Sequence, residues 1–215
     1  MHRFTRLVLF TPQDRLQSNT DRQWKLPVEA EARVSFYMAG SPHLDIPSLQ
    51  GFREMLLLQH YGCPTPYLDI THQTHIALWF ALHKLTSVSE GKIKAERIRS
   101  IEGSPEEWPT IYIFLLDPSL HPVIDTSTIL ADSPFSRPKL QKCGLLGGAG
   151  SLARNYAARY IAIKLRLGHG FLAMELPETH KLFPKPSEDK GLEELLRLEG
   201  RYDNDKLFRV YDVIE

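Results

Sequence analysis

Cysteine is scarce in this chain: Cys63 and Cys143 are the only two among 215 residues. Two thiols cannot complete a thiolate zinc site unaided and do not make a secreted disulfide scaffold, so free thiols in a reduced, cytoplasmic compartment are expected. Net charge is also lacking, with 26 Lys and Arg against 26 Asp and Glu. The chain as a whole is therefore no polyanion binder. Its one local basic cluster, Lys92, Lys94, Arg97 and Arg99, is interleaved with Glu90 and Glu96, the pattern of a solvated face. No stretch approaches the roughly 20 apolar residues that span a bilayer, and no membrane partner is expected. The apolar run at residues 7–10 follows a basic start but is about half a secretory core and has no small-residue cleavage site, so it reads as a first strand. Internal repeats and low-complexity tracts are absent.

What the chain does have is 42% apolar residues, enough for one substantial core and one domain over residues 1–215. Residues 28–40 and 48–60 read as helices, the second with Ser48 as a cap. A further helix is expected over 74–85, followed by a charged surface excursion at 86–109. Ile111 to Leu116 is the clearest strand. Four prolines between 117 and 138 favour irregular loop there. Residues 161–165 and 171–176 read as late strands, 192–198 as a helix and 207–214 as a last strand. Helices and strands are mixed without regular alternation, which argues for an α+β fold.

The most informative segment is QHYGCPTPYLDIT, residues 59–71, set between two apolar helical runs. Gly62 and Pro64 stop the first helix, since glycine accepts a left-handed cap and proline cannot continue the hydrogen-bond ladder. Residues 67–70 form a short strand, and Thr71 begins the loop into the next helix. Polar side chains at element ends are well placed to meet a ligand. His60, with an ordinary pKa of about 6.5, can exchange a proton with a substrate or bond the last carbonyls of its helix. Asp69 can orient a neighbour, and Thr71 can cap the following helix. His72 and His75 lie close enough to share a metal, but no third ligand is placed, so no metal site is expected. The glycines of residues 144–150 make a tight or flexible turn; they lack the lysine and spacing of a phosphate-binding P-loop.

This segment, followed by HIALWFA, resembles the central signature of the FRG domain, a bacterial and phage-associated family. Its usual form runs glutamine-histidine-tyrosine-glycine-x-proline-threonine-arginine-leucine-leucine-aspartate-tryptophan-threonine. Upstream, Arg15-Leu16-Gln17-Ser18-Asn19 and Trp24-Lys25-Leu26-Pro27 stand where the family has phenylalanine-arginine-glycine, glutamine-serine and tryptophan-x-leucine-x-proline, with Arg33 as the arginine that follows. Asp14 replaces the aromatic residue and Leu16 the glycine. Pro66 and Ile70 replace the arginine and tryptophan of the central signature. Downstream, Gln141-Lys142-Cys143-Gly144-Leu145 and Leu182-Phe183-Pro184 are similar to two late family segments.

More distantly, the layout is similar to the arginine-serine-glutamate arrangement of ADP-ribosyltransferases. That resemblance implies a single α+β domain with a split mixed or antiparallel sheet and flanking helices. It also implies NAD as the substrate. Arg15 would hold the dinucleotide, with Tyr61 and Asp69 in the cofactor-binding set, while Thr71, His60 and Gln141 would be the catalytic group. Gln141 is neutral, which leaves open protein or nucleic-acid acceptors or plain NAD hydrolysis; Glu175 is the substitute if the third residue lies on the 171–176 strand. The implied function is an NAD-dependent ADP-ribosyltransferase or NAD-cleaving effector, of the toxin or phage-defence and counter-defence kind. The alternative is a degenerate module that binds a nucleotide or a protein partner. A nuclease has no paired carboxylate cluster to support it.

Overall fold

A computed structural model of the protein describes residues 5–10, 57, 59–61, 68–89, 91–117, 121, 123–131, 133–146, 156–199 and 212–214. The expected helices at 28–40 and 48–60 fall outside these residues except for the end of the second, where Leu57 and Gln59 are helical.

Six strands form the larger sheet: β1 (Thr5–Phe10), β2 (Leu68–Thr71), β5 (Thr110–Leu116), β6 (Val123–Ile124), β7 (Cys143–Leu146) and β8 (Ile161–Arg166), in the order β6-β7-β2-β1-β5-β8. Every neighbouring pair is antiparallel. β5 pairs with β1 from Thr5↔Leu116 to Phe10↔Ile111, and β2 pairs with β7 from Leu68↔Leu146 to Thr71↔Cys143. A second sheet joins β3 (His83–Ser89), β4 (Lys92–Arg97) and β9 (Asp212–Ile214), with β4 and β9 parallel. The class is α+β.

Helix α1 (Thr74–Ala81) lies where the sheets meet, and its sequence explains the position. Ile76, Ala77, Leu78, Trp79 and Ala81 are all buried, so the helix is apolar nearly all round and needs cover on more than one side. Ala77, Leu78, Ala81 and the following Leu82 pack with Ile111 and Leu167; Ile76 and Trp79 pack with Ala95, Leu182 and Phe183. β2 delivers the chain into α1, so groups at the end of β2 are held by a buried framework.

Two expectations are corrected here, and a third gains detail. The helix expected to reach residue 85 stops at Ala81, because the Leu82 carbonyl accepts the Ile98 N–H at 2.8 Å and His83 begins pairing with Arg97. Tertiary pairing overrides a weak helical preference. The excursion at 86–109 is in large part the β3–β4 hairpin, turned at Gly91 with φ 70°. Its charges face solvent, with Lys94 and Glu96 paired at 2.9 Å. Residues 171–176 are not a strand: a 3-10 turn spans His169–Ala173 and leads into extended chain, held by Arg97 donating to the Leu172 and Met174 carbonyls. The proline-rich 117–138 stretch also holds two single-turn helices, α2 (Thr126–Ile129) and α3 (Arg137–Leu140). Pro138 is compatible with α3 because the first helical turn needs no N–H donor there. After α4 (Thr179–Leu182) comes the longer α5 (Lys190–Glu199).

Candidate functional site

The sequence QHY at 59–61 leaves its helix beside the end of β2. His60 and Tyr61 are buried, at 8% and 0% exposure. His60 Nδ1 lies 3.8 Å from the Asp69 Oδ1, an ion-pair distance longer than a hydrogen bond. The same oxygen accepts from Gln59 Nε2 at 2.7 Å. Asp69 therefore favours the imidazole tautomer with its proton on Nδ1, leaving Nε2 with a lone pair. That Nε2 is buried and has no hydrogen-bond partner.

Burial is the main reason that the His60 pKa falls below the ordinary histidine value; Asp69 opposes the shift and the Arg137 charge adds to it. His60 is thus held neutral in the fold, while in the unfolded chain it takes up a proton near 6.5. Between the unfolded and folded pKa values unfolding takes up that proton, so stability is full above about 6.5 and falls as pH drops toward the lowered value. We expect the melting temperature to fall between pH 7.5 and pH 5.5 and the His60→Gln variant to show a flatter profile, read by thermal melts across that range. Parallel profiles would mean that His60 titrates alike in both states.

Tyr61 leads to the other half of the cluster. Its hydroxyl donates to Asp189 Oδ2 at 2.6 Å and accepts the Arg137 N–H at 3.4 Å. Burial, together with the Asp189 carboxylate, pushes the phenol pKa upward, so Tyr61 stays a donor. Asp189 is fully buried just ahead of α5. Its Oδ1 accepts from Gly191 and Leu192 N–H at 3.1 and 3.2 Å, and Oδ2 also accepts from Ser136 N–H at 3.3 Å. It caps the helix and fastens it to Tyr61. The close approach requires Gly191, since a Cβ there would overlap the Phe135 ring, which itself meets Tyr61 edge-on at 5.5 Å.

Arg137 is 1% exposed, with its guanidinium over the Tyr61 ring at 4.7 Å and near the Phe183 ring at 5.5 Å. Burial lowers its pKa, against the fields of Tyr61, Asp189 and Asp212. Even so, guanidinium is basic enough to remain a cation in a protein.

Thr71 and Gln141 meet directly. Thr71 Oγ1 donates to the Gln141 carbonyl at 2.8 Å, lies 3.2 Å from the Lys142 carbonyl and accepts the Gln73 N–H at 3.2 Å. Lys142 has φ 46°, a left-handed residue that turns the end of α3 into β7 and brings both carbonyls to Thr71. The Gln141 amide donates to the Leu182 carbonyl at 3.0 Å and accepts from the Cys143 thiol at 3.5 Å. Burial keeps that thiol protonated by raising its pKa, and Cys143 is free, as expected. Cys63 lies outside the described residues.

His60, Tyr61, Asp69, Thr71 and Gln141 thus share one neighbourhood, linked through Arg137, Lys142 and Asp189. Arg15 lies outside the described residues. Glu175 is exposed, in extended chain rather than on a strand. Among the described residues no group of His, Cys, Asp and Glu is placed to hold a metal, and no helix is long and apolar enough to cross a membrane. Sequence reasoning missed Arg137 and Asp189. Asp189 carried a visible signal, an aspartate just before an amphipathic run; Arg137 carried none.

Residues 6–90 match the family model of the FRG domain. This FRG segment supplies His60, Tyr61, Asp69 and Thr71 and ends before Arg137, Gln141 and Asp189. No curated protein and no solved structure matches the chain.

Proposed function

We propose that this FRG-type protein is an NAD-dependent ADP-ribosyltransferase or NAD-cleaving effector, of the toxin or phage-defence and counter-defence kind. The observation that carries the reading is His60: a neutral, buried imidazole oriented by Asp69, its Nε2 unpartnered, beside a buried cation. In NAD hydrolysis the ribosyl–nicotinamide bond breaks and its electron pair leaves with nicotinamide. Water attacks the cation-like sugar carbon, and His60 Nε2 takes the proton that water releases. Transfer replaces water by an acceptor group of a protein or nucleic acid. Arg15 would hold the dinucleotide through charge-assisted phosphate contacts. Thr71 and Gln141 would shape the wall next to the reacting ribose.

A second reading, a non-catalytic module binding a nucleotide or protein partner, is favoured by one observation. The Thr71 hydroxyl and Gln141 amide are already engaged with backbone carbonyls. Millimolar NAD should raise the melting temperature under the first reading, since a ligand bound only by the folded state stabilises it. Nicotinamide should also accumulate. A melting shift with NAD or ADP-ribose but no nicotinamide release supports the module; no shift with either removes the nucleotide from both readings.

A further inference from the structure

We propose that Arg137 is the oxyanion receptor of this site, taking a phosphate group side-on through its Nε–H and Nη2–H. These two atoms are buried and have no hydrogen-bond partner. They are also the pair that lies along one edge of the guanidinium plane, the edge that meets two oxygens of a phosphate or carboxylate in parallel. Had one of them been matched and the other open, the arrangement would not form a fork.

The surroundings hold the cation without satisfying it. Tyr61 and Phe183 offer ring faces, which attract charge but accept no strong in-plane hydrogen bond. Asp189, the buried carboxylate whose field Arg137 feels, is occupied by Tyr61, Ser136, Gly191 and Leu192. The backbone fixes the position: the Arg137 N–H reaches the Tyr61 oxygen, and Pro138 stiffens the start of α3. A buried cation with an open fork is costly, and an apolar side chain of similar length would fill the same space more stably. His60 Nε2, His72 Nε2 and Trp79 Nε1 are further buried nitrogens without a hydrogen-bond partner, and of these groups His60 is the one whose pKa the Arg137 charge lowers. Phosphate, rather than carboxylate, rests on the nucleotide reading above; the receptor role itself does not depend on NAD cleavage.

The test uses the full chain and calorimetric titration with inorganic phosphate, pyrophosphate, ADP-ribose and, as uncharged control, adenosine. Wild-type protein should bind pyrophosphate and ADP-ribose, with affinity falling as salt rises, and Arg137→Met should lose about tenfold or more of it. Arg137→Lys should recover only part, because the charge returns without the planar fork. Arg137→Met should melt at or above the wild-type temperature, whereas a purely structural arginine would leave it lower melting. If Arg137→Met does not fold by circular dichroism, the Lys variant decides alone: full wild-type affinity there overturns the proposal. Undiminished phosphate binding by a folded Met variant overturns it too, as does wild-type protein binding none of the three phosphate probes. Phosphate binding lost in Arg137→Met without any NAD turnover in the wild type would leave this receptor standing and remove only the cleavage reading. NAD turnover with an unchanged KM in Arg137→Met would do the reverse.

Discussion

Asp189→Ala is expected to destabilise the protein by about 3–5 kcal/mol, the range for breaking a buried charged network from one side. The substitution strands the Tyr61 hydroxyl and the Ser136, Gly191 and Leu192 N–H groups, and it removes the carboxylate whose field offsets buried Arg137. Tyr61→Phe deletes one partner and keeps the ring, so it should cost only about 1–2 kcal/mol. Because the two side chains share a bond, the double variant should be less destabilised than the sum of the single ones. Denaturant midpoints for the four proteins give the comparison. Additive effects, or an Asp189→Ala loss under about 1 kcal/mol, would mean that the network contributes little.

Under the cleavage reading, His60→Gln should lower nicotinamide release by about 10²–10⁴-fold, the usual contribution of general acid–base catalysis. NAD affinity should change little, since the proton moves only as water attacks. Asp69→Asn should fall less far, because the carboxylate acts through the imidazole across 3.8 Å. Single-turnover rates together with titration calorimetry separate the two quantities. A His60→Gln protein with wild-type turnover would assign His60 to the helix end, where its backbone N–H already bonds the Leu57 carbonyl at 3.1 Å.

Local pattern carried the parts of the fold whose partners are interchangeable. Ile111 to Leu116 reads as a strand whatever lies beside it, and β1, β2, β8 and the body of α5 were legible in the same way. The β3–β4 hairpin was not, because its charged residues face water on an exposed ribbon and leave almost no apolar alternation to see. The run 171–176 has the composition of a strand, yet its Leu172 and Met174 carbonyls go to Arg97 rather than to a ladder. The same division runs through the site. The 59–71 segment announced itself through turn residues and its likeness to FRG domains, whereas Arg137 looked like any arginine before a proline. Its burial follows from Tyr61 and Phe183, which no local window joins.

The bond from Tyr61 to Asp189 crosses 128 positions of chain. Closing so long a loop is entropically unfavourable until other contacts are in place, and contacts of that separation form late in folding. While the chain is being synthesised, the FRG segment emerges well before Arg137, and Arg137 before the carboxylate that completes its setting. A nascent chain therefore displays the signature without the assembled site. For a protein whose proposed chemistry consumes NAD, activity would begin only once Asp189 had left the ribosome.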